Sequence, residues 1–350
     1  MPSTVKTMRA GVLERVHRIE SRELPVPEVG KGQVLLRVLG CGVCGTDYHI
    51  YEGEVTEGVR PPVVLGHEIA ARVEAIGDAV KGLKVGQFAA VDPVIGCGCC
   101  AMCRVGKVNL CADLTIIGYK LNGGFAQFVL APAANVVPMD EKVGMAGGVL
   151  CETLACVING YDRLGFVAGS SAMILGAGTV GLLWNQMIKS SPCRMLVQTE
   201  IAGFRRQKAK KLGADVVIDP REGDLERRVR EVLLDGVDFI IDATGNPAAI
   251  QQALPCLAFG GTLMIFGVCP PGSEVKIEPY VIYDKEAKIV GSKMPPRTLE
   301  RAARLIESGR IACEEIVTTT VGLEQLGKAV AGFNDVRETA VKMVMDPWKR

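Results

Sequence analysis

The chain has 350 residues, enough for two domains and a substantial core, and its 48% hydrophobic and 23% charged residues are the balance of a soluble globular protein. Forty lysines and arginines against 39 acids leave a formal net charge of +1, which gives no electrostatic reason to expect nucleic acid or an anionic membrane as partner. No apolar run reaches the roughly 18 residues needed to span a bilayer, and thirteen cysteines, an odd number grouped rather than spread, point to thiols kept reduced and hence to the cytoplasm.

The opening stretch, MPSTVKTMRAG, holds no apolar signal core, and the residues ahead of Met8 are expected to be disordered. Up to about residue 150 the chain is rich in Gly, Pro and Val and runs in short alternating stretches. Gln33 to Leu39, Val63 to Ile76 broken by turns, and Gln87 to Val91 read as strands. This half is expected to be an all-β module with long functional loops.

Two of those loops carry metal-ligand chemistry. The chain has three histidines, and two of them lie in Cys44-Gly-Thr46-Asp47-Tyr-His49 and Gly66-His67-Glu68. A catalytic zinc takes soft or nitrogen ligands and keeps one position open. Cys44 and His67 supply a thiolate and an imidazole from separate loops. The third ligand stays open between Glu68, Glu152 and the neighbouring Cys151; Cys41 and Cys156 read as structural. Farther along, Cys97, Cys100, Cys103 and Cys111 follow the spacing C-x2-C-x2-C-x7-C. Four thiolates this close can surround one zinc ion with no position left for substrate. Such a site holds a loop in shape and does no chemistry. Cys99 is a rival ligand, but only position 100 keeps two intervening residues on both sides. The expectation is two zinc ions per chain, one catalytic and one structural.

The texture changes near Cys151. Apolar strands then alternate with glycine-rich turns and charged helices. The strands are Ser171 to Leu175, Met195 to Thr199, Val216 to Ile218, Phe239 to Ala243 and Gly261 to Val268; the helices include Gly178 to Ser190, Phe204 to Leu212 and Leu225 to Leu234. This order indicates βαβ units and a parallel sheet. Gly176-Ala-Gly178-Thr179-Val180-Gly181 joins the first strand to its helix. The first glycine permits the tight turn, the second lets backbone approach a pyrophosphate, and the third lets helix and strand pack closely. The helix N-terminus offers unpaired N–H groups to phosphate. Glu200 is placed to accept from the adenosine ribose hydroxyls, which favours NAD over NADP, although Arg205 and Arg206 are positioned to compensate a 2′-phosphate. Thr244, in Asp242-Ala-Thr-Gly245, and Val268 at the end of the last strand are expected to line the same crevice. Helices over Thr298 to Ser308 and Leu323 to Phe333 and a strand over Ala340 to Met345 close the chain.

The segments CGVCGTD, GHE, the four-cysteine loop, ETLACVINGYDRL, GAGTVG, DATGNP and IVGS jointly resemble the zinc-containing medium-chain alcohol dehydrogenases, nearest their sorbitol (polyol) and threonine dehydrogenase branch. The resemblance implies a β-rich, GroES-like catalytic domain from residues 1–153 and 292–350, and a Rossmann NAD-binding domain with a doubly wound parallel sheet over 154–291. It implies zinc-dependent oxidation of a secondary alcohol (a polyol, cyclitol or hydroxy amino acid) with hydride transfer to NAD, and a homodimer or homotetramer. By the same resemblance Cys44 and His67 are zinc ligands and Glu68 ligates or exchanges at zinc. Glu152 stands where other branches have a ligand cysteine, Asp47 orients the ligand histidine, and Thr46 and His49 form a proton relay. Residues 293–298, KMPPRT, depart from the aromatic-containing run usual after Gly-Ser, which leaves substrate choice open. Two readings compete: a zinc-independent quinone or enone reductase of the same superfamily, and a non-enzymatic zinc-ribbon protein that binds nucleic acid.

Overall fold

The computed structural model describes residues 6–55, 58–336 and 338–349. The segment ahead of Met8, expected to be disordered, falls mainly outside those residues, and Thr7 already belongs to a strand. The first half runs β1 (Thr7–Arg15), β2 (Arg18–Pro25), β3 (Gln33–Gly42), α1 (Gly45–Tyr51), β4 (Val63–Val64), β5 (Glu68–Ile76), β6 (Phe88–Val91), β7 (Val94–Ile95), α2 (Ala101–Arg104), β8 (Thr115–Ile116), β9 (Phe128–Pro132), β10 (Val136–Pro138) and α3 (Gly144–Leu164). The second half runs β11 (Ser171–Leu175), α4 (Thr179–Lys189), β12 (Met195–Thr199), α5 (Gly203–Lys211), β13 (Val216–Ile218), α6 (Leu225–Arg230), β14 (Val237–Asp242), α7 (Pro247–Ala253), β15 (Leu257–Ile265), α8 (Pro279–Asp284), β16 (Lys288–Gly291), α9 (Leu299–Glu307), β17 (Val317–Val321), α10 (Leu326–Ala331) and β18 (Lys342–Met345).

The chain adopts the expected α/β class, a β-rich unit beside a doubly wound parallel sheet. Within the β-rich unit the larger sheet has the order β10-β6-β5-β3-β18-β17, with β9 also paired to β3, and a smaller sheet has the order β2-β1-β4. Every pairing of β13-β12-β11-β14-β15-β16 is parallel. That order reverses direction between β11 and β14, and the crevice at such a switch point, beyond the carboxyl ends of the strands, is where ligands bind. β18 returns to the larger sheet of the β-rich unit, where Val344 and Met345 lie opposite Gly42 and Cys41.

The helix α3 links the two units. Leu150, Leu154 and Ile158 are fully buried in a core shared with Ala70 and Phe88 of the β-rich unit and Ala172, Ile174 and Trp184 of the parallel-sheet unit. By length and composition it is apolar enough to cross a bilayer, yet most of it is packed inside the protein. No helix is evident here from the sequence, because glycines at 144, 147, 148 and 160 look like turn signals. They are there for contact: packing against neighbouring elements outweighs glycine's weak helix propensity. β15 begins at Leu257, four residues before the expected strand, and ends at Ile265. The helix expected over 323–333 is a short 3₁₀ turn followed by α10.

Candidate active site

β3 delivers Cys44 to the start of α1, where its extended backbone caps the helix. The Cys44 N–H donates to Asp47 Oδ2 at 2.9 Å, so the turn is closed by its own acid. His67 occupies the bend between β4 and β5, and Glu68 opens β5. These loops meet: one donor atom each from Cys44, His67 and Glu68 lies within 4.8 Å of the others. His67 and Glu68 are buried, as is Asp47, whose Oδ1 is 3.7 Å from His67 Nδ1. Among the described residues Asp47 Oδ1 and His67 Nδ1 have no hydrogen-bond partner. A thiolate, an imidazole and a carboxylate converging in a buried site, with polar atoms left unsatisfied, fit a zinc ion with an acid oriented behind its histidine.

Glu152 projects from α3 and is buried. Burial pushes its carboxyl up to about 7, with His67 pulling it down and Glu68 pushing it up; the Cys156 thiol donates to Glu152 Oε1 at 3.4 Å. Cys151 is turned away, its thiol directed to the Leu299 carbonyl at 3.6 Å. The adjacent Thr153 hydroxyl donates to Glu68 Oε1 at 3.0 Å. Two residues near this centre were not foreseen. Lys342, on β18, forms a buried ion pair with Glu68 Oε2. Burial alone would push its ammonium down, but Glu68 reverses that and leaves it above its ordinary value. Gly42 makes room for the pair: a Cβ there would sit 2.0 Å from Glu68 Oε2 and 2.7 Å from Lys342 Cε. Tyr119 sets its ring edge-on to His67 with centroids 5.3 Å apart, and its hydroxyl bonds Thr46 while burial pushes the phenol up. Thr46 Oγ1 lies 3.7 Å from Cys44 Sγ. His49 sits in the last turn of α1, half-buried, with Nδ1 2.5 Å from Glu54 Oε2.

The four thiols Cys97, Cys100, Cys103 and Cys111 also converge, with their sulfurs within 4.8 Å of one another. Backbone N–H groups point at the sulfurs: Cys97 N at Cys111 (3.2 Å), Cys100 N at Cys97 (3.4 Å), Cys103 N at Cys100 (3.5 Å) and Asp113 N at Cys111 (3.3 Å). Such donors favour thiolates, and those of Cys99 and Cys100 lower Cys97 to about 6. The donor chemistry fits a structural zinc. Cys99 is exposed, with its thiol 3.6 Å from Cys97 Sγ, and stands outside the set of four.

The glycine loop follows β11, and Gly178 precedes α4 with no side chain capping its N–H groups. Gly181 allows the helix to press on the loop, since a Cβ there would lie 2.2 Å from the Gly176 carbonyl. Glu200, at the end of β12, accepts from Ala177 N at 2.7 Å and Ala202 N at 2.9 Å. Its carboxylate is therefore buttressed against the loop that it borders. Thr179 donates to the Val341 carbonyl at 3.3 Å, and the Arg205 guanidinium to the Ala340 carbonyl at 2.8 Å. Val180 is half-buried in the first turn of α4. Thr244 folds onto Asp242 Oδ1 through its N–H (2.9 Å) and hydroxyl (2.6 Å). Exposed Val268 lines a cavity of about 340 Å³ with Asn109, Asn159, Ser292 and Lys293.

The alcohol dehydrogenase GroES-like domain profile matches residues 30–141, and the zinc-binding dehydrogenase profile matches residues 179–308. L-threonine 3-dehydrogenase of Pyrococcus horikoshii is 34% identical over 85% of this chain and 86% of its own. Sorbitol dehydrogenase of Bacillus subtilis is 31% identical over 98% of both chains. A solved structure described as a zinc-binding dehydrogenase of Sinorhizobium meliloti 1021, with NADP bound, matches at a TM-score of 0.94 and 34% identity, covering 98% of this chain and 100% of that one.

Proposed function

Because the chain belongs to the zinc-type medium-chain alcohol dehydrogenases, in their polyol and threonine branch, we propose that it oxidises a secondary alcohol of polyol, cyclitol or hydroxy-amino-acid type to the ketone, passing hydride to NAD. One observation carries the reading: Cys44 from one loop and the adjacent His67 and Glu68 from another bring their donor atoms within 4.8 Å of one another. A zinc-independent reductase has no use for that convergence. The formal net charge of +1 gives the zinc-ribbon reading no electrostatic support, since nucleic-acid binding rests on neutralising phosphates.

Zinc supplies Lewis acidity that lowers an alcohol's pKa, and the nicotinamide supplies the hydride acceptor. The residues do the rest. Cys44, His67 and an acid, Glu68 or Glu152, would hold the ion. Asp47 orients the His67 ring, and Lys342 holds the Glu68 carboxylate from the opposite side. Thr46 receives the substrate proton at Oγ1 and passes it toward His49; the Tyr119 hydroxyl keeps Thr46 aligned. Cys97, Cys100, Cys103 and Cys111 would hold the structural ion. Gly176, Gly178, Thr179, Val180 and Gly181 would receive the pyrophosphate, Glu200 and Arg205 the adenosine ribose, and Thr244 and Val268 the nicotinamide half. The Glu200 carboxylate favours NAD over NADP, although the Sinorhizobium relative carries NADP.

The assignment of residues 1–153 and 292–350 to a catalytic domain and of 154–291 to a coenzyme domain is supported by the pairing of β18 with β3. Thirteen cysteines, none in a disulfide, support a cytoplasmic setting. The test is a panel of polyols, hydroxy amino acids and simple alcohols, followed at the NADH absorbance band with NAD and with NADP. The expected result is turnover of a polyol or hydroxy amino acid with NAD and about two zinc ions per chain. Cys44→Ser is expected to abolish turnover while NAD binding persists. A Cys44→Ser enzyme of normal rate overturns the proposed metal centre.

A further inference from the structure

The segment between β16 and α9 is held in a conformation that its residues do not favour. Met294 (φ +50°) and Arg297 (φ +59°) are both left-handed without being glycine, which survives only where surroundings enforce it. Two buried amides hold the first part of the segment, Ser292 to Met294. Asn109 Nδ2 donates to the Lys293 carbonyl at 2.6 Å. Asn159 Nδ2 reaches the Met294 carbonyl at 2.8 Å, Ser292 Oγ at 3.1 Å and the Lys293 carbonyl at 3.4 Å. Both asparagines are more than nine-tenths buried. The other amide atom of Asn109, Oδ1, is buried with no partner among the described residues. An unpaired buried acceptor is costly, so packing alone would be better served by an apolar residue at this position.

The two amides come from different places. Asn159 lies on α3 two turns beyond Glu152. Asn109 lies inside the cysteine lobe, two residues before Cys111. Both border the cavity that Val268, Ser292 and Lys293 also line. We propose that Asn109 and Asn159 are positioning residues that fix the Lys293–Met294 backbone where the nicotinamide ring docks, so that the cysteine lobe, itself without chemistry, sets the placement of the ring through one side-chain amide. This rests on the reading of Val268 as the nicotinamide end of the crevice.

The experiment compares NADH with ADP-ribose, which lacks the nicotinamide, by titration calorimetry on zinc-replete enzyme. Asn109→Ala is expected to weaken NADH about tenfold, as loss of a buried hydrogen bond does, with ADP-ribose affinity and zinc content unchanged. Asn159→Ala is expected to act in the same direction. The double variant is expected to lose less than the product of the two, because both amides act on one segment. Unchanged NADH affinity in both single variants, or equal losses for NADH and ADP-ribose, overturns the inference. If Asn109→Ala loses zinc, Asn159→Ala decides alone, being outside the lobe. Wild-type enzyme that binds ADP-ribose and NADH equally overturns instead the assignment of the nicotinamide end.

Discussion

At the scale of single residues, the centre is built from pairs whose members are distant in sequence. His49 is one of the few polar groups there with a local partner, the Glu54 carboxylate at 2.5 Å. As the outer member of the proposed relay, it should matter most where solvent base is scarce. His49→Ala is expected to lower turnover mainly near neutral pH and to approach wild type in alkali; a pH–rate profile superimposable on wild type would remove it from the relay. Asp92 is a second measurable case. It is buried, accepts from Val94 N at 3.0 Å, and burial raises it from 3.8 to about 6. On raising the pH the unfolded chain therefore loses this proton first. Stability falls between about pH 4 and pH 6 and is level above that. Asp92→Asn removes the dependence and is expected to gain about 3 kcal/mol over wild type at pH 7 and almost nothing at pH 3.5, read from urea midpoints. Cys44, His67 and the four ordered cysteines were legible because ligand chemistry limits residue type and spacing. Tyr119 and Lys342 were not, because nothing local distinguishes a tyrosine after a glycine or a lysine in an apolar strand. Only the fold brings them to Thr46 and Glu68.

Among the elements, the strands of the parallel sheet were the easiest to read. β11, β12 and β14 are buried almost throughout, so their sequences are continuous apolar runs bounded by turns. β2 was hidden for the converse reason. Its sequence, RIESRELP, has no buried residue, and its register with β1 depends on pairing rather than on its own composition. The Gly176–Gly181 turn was legible as a motif, and its packing gives the reason. Gly181→Ala places a methyl 2.2 Å from the Gly176 carbonyl, and the loop must move to admit it. The expected outcome is at least a tenfold loss of affinity for NADH and ADP-ribose alike. That pattern separates it from the Asn109 variant, whose loss is confined to the nicotinamide half.

For the whole molecule, the fold class followed from the sequence, whereas the continuity between the two units did not. α3 is the clearest instance, since it carries Glu152 near His67 and Glu68 and Asn159 at the cavity along one face. Assembly is a further expectation at this scale. β16 is the outer strand of the parallel sheet and leaves one backbone edge open. Around it Phe259, Tyr280, Tyr283 and Ile289 are exposed. An open edge beside exposed aromatics is suited to pairing with a second copy. Light scattering is expected to report a dimer or a multiple of one, and Tyr283→Glu is expected to shift it toward monomer. A monomeric wild type at micromolar concentration would refute the pairing.

β18 completes the sheet that β3 and β5 begin, and it brings Lys342 to Glu68. On the ribosome the N-terminal half emerges with the Cys41–Gly42 end of β3 unpaired on one side and Glu68 without Lys342. That edge stays open until β18 has been made, after all six strands of the parallel sheet. Pairing of β18 with β3 is thus the step that supplies the Glu68 counter-ion, and the parallel sheet, whose strands all precede β18, has no strand to wait for.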